Sequence, residues 1–273
     1  MPLRAVDAHA HMVATDFALA PSAVERPPDW DLGEALTAYR KHLERLGFSR
    51  GVLVHSILYG TDNSVTVEAL RQLGPSFAGI GLVSDDVDEE VLDRFVEWRL
   101  RGVRLNLVHG SLLSWPAARR LAPALAERGL HVEMLLHTHE HLAEIAEDIQ
   151  AMPVPVVIDH LGWPDVARGV EEPGFQTLLR LISDGHAYVK LSAVYRFSSA
   201  PYDDVIPLVS ALAEAAPERC LWGSDWPHLM LGNAGKPEAA RLFDAFYDAV
   251  PSEAARRTIL VTAPEALYGL NKR

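Results

Sequence analysis

The sequence predicts an α/β fold, a (β/α)8 TIM barrel, on three observations. Short β-branched runs alternate with longer segments of helical spacing from end to end, the arrangement of parallel strands joined by helices. Eight such units can be counted, and 273 residues is about the length that eight units need. Three motifs, Asp7-Ala8-His9-Ala10-His11, Asp159-His160-Leu161-Gly162 and Gly223-Ser224-Asp225-Trp226-Pro227-His228, each close an apolar run, and barrels of this kind carry their chemistry at the C-terminal ends of strands. A doubly wound open sheet alternates in the same way but usually has a glycine-rich phosphate turn after its first strand, where this chain has histidines.

In chain order, the first strand is expected over 3–8, where the apolar run from Leu3 to Val6 meets the first motif. Leu32, Ala35, Leu36, Tyr39, Leu43 and Leu46 then recur at threes and fours, an amphipathic helix that Gly47 stops. A strand over 51–55 precedes Thr61-Asp62-Asn63, whose side-chain oxygens suit the start of a helix from Val65 to Leu73, with Gly74 following it. The unit repeats as strands over 77–83, 102–107, 131–136, 154–159, 187–192 and 219–224. The helices between and after them fall over 88–100, 116–128, 140–150, 174–184, 203–216, 237–249 and 252–260. The whole chain, 1–273, is expected to be one barrel domain, since no Ser/Gly-rich linker, short repeat or low-complexity tract divides it. Residues 13–31, with Pro21, Pro27 and Pro28, are too long and proline-rich for a minimal strand-to-helix loop and make a candidate lid.

Composition narrows the function classes. Apolar residues make up 49% and charged residues 23%, the ordinary globular range. The net charge of −12, from 37 acids against 25 bases, opposes nucleic-acid binding, which relies on clustered Lys and Arg. Cys220 is the single cysteine, which excludes an intrachain disulfide and a cysteine-rich zinc site. A small-molecule substrate and a cytoplasmic setting are expected. A membrane span and a secretory leader are not, because neither an 18-residue apolar run nor a basic segment leading into an apolar stretch occurs. Composition says nothing of the oligomeric state.

The motifs carry the chemistry. His9 and His11 are two apart on a strand and so share a face, where one metal ion or one polarised carbonyl can touch both. Letters alone are weak evidence in a chain with 12 histidines, as the second instance, His137-Thr138-His139, shows. Asp225, ending the eighth strand, is suited to take a proton from water as a general base. His160 ends the sixth strand and is expected to face the mouth as a donor to a developing oxyanion, with Asp159 on the opposite face by strand alternation. Arg104 on the fourth strand and Arg196 beyond the seventh offer planar forks for a substrate carboxylate. Trp163 and His228 are expected at the mouth, although tryptophans in Trp-Pro turns more often serve packing.

Together these residues resemble the amidohydrolase superfamily, and within it the branch of pyrone-dicarboxylate and sugar-lactone hydrolases. The resemblance spans nearly the whole chain. Besides the opening motif it is carried by Tyr59-Gly60-Thr61-Asp62-Asn63, Gly102-Val103-Arg104, the run Val157-Ile158-Asp159-His160-Leu161-Gly162-Trp163-Pro164-Asp165, and Trp222 through His228. Val261-Thr262-Ala263-Pro264 is similar to a Thr-Asn-Pro turn of the family, with Ala263 in place of asparagine. The resemblance implies a barrel of amidohydrolase type that hydrolyses a lactone, with Asp225 activating water and His9, His11 and His160 polarising the carbonyl. It also implies that no cofactor is required, since this branch works without metal. Binuclear members carry a carboxylated lysine on strand four, where this chain has Arg104. One divalent ion, zinc, is left as an alternative, held by His9, His11, Asp225 and a histidine past strand five, His137 or His139. Both of those are more readily read as loop or helix-cap residues. An arginine expected where Gly110 stands is missing, and a tyrosine expected on strand five is replaced in the Leu135-Leu136 region, which points to a less charged or more apolar lactone or ester.

Three functions are therefore in view: Asp-activated hydrolysis of a lactone or related carboxylic ester with an acidic substituent, a mononuclear zinc decarboxylase or amide hydrolase, and a silent barrel that binds a carboxylate metabolite.

Overall fold

The computed structural model describes residues 1–232 and 234–270. The chain runs through β1 (Val6–Ala10), α1 (Leu32–Leu46), β2 (Arg50–Val54), α2 (Ser64–Leu73), β3 (Phe77–Gly81), α3 (Glu89–Glu97), β4 (Leu100–Asn106) and α4 (Trp115–Glu127). It continues through β5 (His131–Leu135), α5 (Thr138–Gln150), β6 (Val156–Ile158), α6 (Pro173–Ser183), β7 (Ala187–Ser192), α7 (Ile206–Ala215) and β8 (Cys220–Gly223). Then come α8 (Ala239–Ala249), α9 (Glu253–Arg257), a π-turn over Thr258–Thr262 and α10 (Ala263–Tyr268). The eight strands pair in parallel in chain order. The ring is nearly closed by a parallel bridge between Ala10 and Trp226, with His11 N donating to Trp226 O at 2.7 Å and Asp225 N to His9 O at 2.8 Å. The predicted (β/α)8 barrel is the observed fold.

Local chemistry explains the helix ends. Asp31 accepts from Glu34 N while the Glu34 side chain returns to Asp31 N, a full capping box at the start of α1, and Gly47 takes the left-handed φ of 76° that stops it. Ser114 caps α4 and Glu172 caps α6, each just ahead of a proline in the first turn. Of the oxygens expected from Thr61-Asp62-Asn63 at the start of α2, Asp62 supplies one, but Asn63 does not. Its amide instead reaches across to β3's end, donating to Leu82 O and accepting from Leu82 N at 2.9 Å each, while Asp62 takes Ser64 N.

Burial divides the core in two. Between strands and helices lies one continuous apolar layer that includes Tyr39, Phe95 and Phe175. Inside the barrel, Val6, Ala8, Val52, Val54, Ile80, Val157 and Leu221 close the N-terminal end and pack against Tyr268 of α10. That plug is unexpected from sequence, where a single helix over 252–260 is predicted and α10 is not.

β1 differs from expectation in a way that matters for function. It starts at Val6 rather than at residue 3, because Arg4 turns at φ 68° and Leu3 stays 90% exposed, so His9 lies within the strand. Val6 pairs with Arg50 and Asp7 with Gly51, but Ala10 pairs with Leu53, three steps on β1 against two on β2. This bulge interrupts the alternation. Asp7 faces outward to the Tyr39 hydroxyl, whereas Ala8 joins the interior plug and His9 also turns inward.

Gly223 on β8 is pressed against that bulge: a Cβ there would stand 2.7 Å from His9 N, with the His9 Cβ nearer still. Backbone cannot move aside as a side-chain tip can. Gly223→Ala is therefore expected to destabilise the fold by at least about 1–3 kcal/mol. A lowered midpoint in thermal unfolding followed by circular dichroism checks this, and an unchanged midpoint would contradict the packing described.

Candidate active site

Three tiers fill the barrel from bottom to top. Above the apolar plug lies a layer of buried charge. The Lys190 ammonium on β7 stands 2.6 Å from Glu133 Oε2 on β5, 3.5 Å from Asp159 Oδ1 and 3.1 Å from His9 Nδ1. Arg104 on β4 directs Nε and Nη2 to Asp159 Oδ2, at 2.9 Å each. Two cations thus face two carboxylates, each chain atom held where water is excluded. Burial would raise the Asp159 carboxyl, but Lys190, His9 and Arg104 overcome it and hold it well below the usual range. Glu133 is pushed up to about 7 by burial and then by the Asp159 charge, against the pull of Lys190 and Arg104.

The third tier sits on this layer. Asp225 turns out of β8 at φ 57°, and its two oxygens have different company. Oδ2 accepts from the Tyr195 hydroxyl at 2.5 Å and from Arg196 Nη2 at 3.0 Å. Oδ1 is buried without a hydrogen-bond partner and faces His11 Nε2 at 3.3 Å and His9 Nε2 at 3.7 Å. His160 approaches His9 with ring centroids 4.6 Å apart, its Nδ1 2.8 Å from Ser192 Oγ. Burial alone would raise the Asp225 carboxyl, yet Arg196, then His160, His11 and His9, hold it well below the usual carboxylate range. Burial pushes His160 down to about 4, and burial followed by Lys190 holds His9 well below the ordinary imidazole value. At neutral pH the arrangement is one ionised carboxylate beside the neutral imidazoles of His9 and His160.

The structure brings His9, His11, His160 and Asp225 together: His11 and His160 line a small cavity of about 40 Å³ with Arg104, Arg196 and Trp163, while His9 and Asp225 are fully buried against them. It corrects the facing of Asp159. Alternation runs inward at Val157 and outward at Ile158, so Asp159 faces in; His160 then also turns in, because the chain leaves the strand with a left-handed φ of 56°. His228 lies off the cavity, edge-on to Tyr195 with centroids 5.2 Å apart, its Nε2 3.2 Å from Ser224 O. His137 is a second correction. β5 ends at Leu135, which makes His137 the residue before α5, where its Nδ1 lies 3.2 Å from Glu140 and its ring stacks on His139. It therefore belongs to a separate, more exposed group, and β5 supplies Glu133 and Leu135 to the interior instead.

His9, His11 and Asp225 could hold a divalent ion, since their ligand atoms lie within 4.8 Å of one another. Two of those atoms, His9 Nε2 and Asp225 Oδ1, are buried and otherwise unpartnered, so the donor set fits such an ion. Sequence reasoning missed Glu133, Lys190 and Tyr195. The signal for the first two was present: a charge inside an apolar strand, the same argument that singled out Arg104. A larger hollow of about 790 Å³ lies between α2 and α3, but it holds none of these groups, and chemistry rather than size marks the site.

Comparison with known proteins agrees with this geometry. The amidohydrolase family model matches residues 6–270. The chain is 33% identical to a 4-sulfomuconolactone hydrolase of Hydrogenophaga intermedia over 98% of its own length and 90% of that protein's. It is 31% identical to a 2-pyrone-4,6-dicarboxylate hydrolase of Comamonas testosteroni, covering 98% and 91%. A crystal structure from Pseudomonas putida, described as a candidate 2-pyrone-4,6-dicarboxylic acid hydrolase, superimposes with a TM-score of 0.85 at 31% identity over 100% of both chains. With the histidine and aspartate cluster at the strand ends and a family match from β1 to α10, the chain belongs to the amidohydrolase family.

Proposed function

We propose that this protein hydrolyses a lactone or related carboxylic ester carrying an acidic substituent, by attack of water activated at Asp225. The observation that carries the reading is the free Asp225 Oδ1, ionised, buried and faced by the His11 and His9 rings, with His160 beside them. The relatives named as lactone hydrolases support the same reaction class.

In this mechanism Asp225 Oδ1 takes a proton from water as its oxygen bonds to the lactone carbonyl carbon. Charge passes to the carbonyl oxygen, where His9 and His160 donate; His11, whose Nδ1 donates to the Val54 carbonyl at 2.7 Å, joins them from Nε2 when its ring carries a second proton. The tetrahedral centre then collapses, the ring C–O bond breaks, and the proton returns from Asp225 to the ring oxygen to leave a hydroxy acid. A carboxylate as acidic as Asp225 is a reluctant base, so stabilisation of the oxyanion must supply much of the rate. Lys190 prepares one donor. An ammonium can only donate, so with one Lys190 proton directed to His9 Nδ1, the His9 proton resides on Nε2, facing the reaction. His160 Nδ1 pairs with the Ser192 hydroxyl, which as the donor leaves the His160 proton on Nε2. Arg104 and Arg196 each keep Nη1 without a partner among the described residues, which leaves an edge of each fork for the acidic substituent.

That His9 tautomer favours a reaction that requires no metal. The second reading, one zinc ion, is favoured by the two unpartnered buried atoms. His9, His11 and Asp225 would hold the ion, which would supply Lewis-acid polarisation and a more acidic water. No helix among the described residues is long and apolar enough to cross a membrane, and Cys220 is buried and unpaired, which supports a cytoplasmic enzyme acting on a small molecule. The reading treats residues 1–273 as one barrel domain, with 13–31 as a cover beside the mouth. Trp30 of that segment stacks on Trp226, and Glu25 accepts from Met230 N.

Asp225→Asn should keep the fold and lower kcat by about 10²- to 10⁴-fold on a lactone panel. Near-wild-type turnover would remove Asp225 from its role. Asp225 must be ionised and its carboxyl lies well below the usual range, so the active form is present above that value and lost on acidification through it. With His160 also down near 4, neither Asp225 nor His160 should give kcat/KM an acid inflection between about pH 8 and about pH 5. Metal analysis paired with chelation separates the two readings: full activity in chelated protein is expected, and stoichiometric zinc whose removal abolishes turnover would replace the first by the second.

A further inference from the structure

The inner cavity is too small for the substrate this site is read to take. Its volume of about 40 Å³ admits one or two waters and the reacting carbonyl, not a lactone ring. Arg104, Asn106, Ile57 and His109 line it and also line a second chamber of about 230 Å³, so the two share a wall and the body of any bound lactone must occupy the outer one.

The outer chamber has a distinct chemistry. Its far side is formed by Val24, from the 13–31 segment, and Leu112, from the loop after β4, with Leu82 behind them. Val24 is 67% exposed and Leu112 43%, two of the few large apolar side chains the described residues leave open to water, and both face this chamber. Scattered apolar residues on a surface need no explanation, but two from separate loops converging on a cavity that opens onto the reactive groups do. Gly110 leaves that wall recessed, since a Cβ there would meet nothing within 4 Å.

We propose that the chamber walled by Val24 and Leu112 is a subsite for an apolar substituent, so that the preferred substrates are acidic lactones bearing a short alkyl or aryl arm. The acid is held at the Arg104 side and the arm lies between the two loops. This inference rests on the hydrolytic reading above and adds the substrate's second group. Burial of each methylene of the arm is worth about a fourfold gain in binding until the chamber is full.

The test is a series of carboxylated γ-lactones with hydrogen, methyl, propyl or pentyl at one ring carbon, assayed on wild type and on V24D and L112D, neither of which lies among the reacting groups. Wild-type KM should fall along the series, and each aspartate variant should flatten the gradient measured relative to its own value for the unsubstituted lactone. A flat wild-type series, or a gradient that survives both variants, overturns the subsite. Calorimetric binding of the corresponding hydroxy acids is run in parallel. If no lactone is turned over, the hydrolytic reading fails, and a flat binding series is then what overturns the subsite independently.

Discussion

Everything above the barrel's apolar plug depends on one buried ion layer, Lys190 and Arg104 against Glu133 and Asp159. Charges stripped of water are tolerated only when each finds opposite charge and directed hydrogen bonds. Here opposite charge is supplied by residues from β4, β5 and β7 and from the turn that ends β6, with Arg104 bonded to Asp159 and His9 of β1 as acceptor for Lys190, while the Glu133 oxygens are matched by charge alone. Removing one partner from such a set typically costs about 3–5 kcal/mol, because the others are left uncompensated. The layer therefore fixes how far apart the strands stand and in what register, and the imidazoles inherit their positions from it.

Immediately above it, the backbone gives up regular geometry. His160, Ala193 and Asp225 all adopt left-handed φ at the ends of β6, β7 and β8, conformations that disfavour side chains with a Cβ. The turn at Ala193 leads into Tyr195 and Arg196, which reach Asp225, and the turns at His160 and Asp225 point their own side chains back over the barrel axis. The bulge in β1 does the same for His9. Four local departures from ideal structure thus converge on one cavity, and the regular strands beneath them bear the cost.

This division explains what could be read from sequence. The eight units were legible because burial imposes periods of two and 3.6 on strands and helices, and the position of the histidines at the ends of apolar runs follows from the same pattern. Counting back from His160 misplaces Asp159, because alternation holds only while the strand lasts and the chain turns at His160, so that both residues face in. The bulge at Ala8 and His9 is decided by contacts with β2 and β8, which no window of neighbouring residues contains. Glu133 and Lys190 were legible in principle as charges in apolar strands, but their pairing across the interior is a property of the closed ring. His137 looked like a ligand by spacing alone, whereas the start of α5 turns it aside.

The seam between β1 and β8 holds a last consequence. Asp7 accepts from Ser224 across 217 residues of chain, and the bonds from Asp225 to His9 and from His11 to Trp226 lie in the same join. Reacting groups that straddle the first and last staves of a barrel come into being only when both have been synthesised and docked. A nascent chain emerging from the ribosome is accordingly inert for most of its translation, and competence arrives in a single late event as the final stave closes.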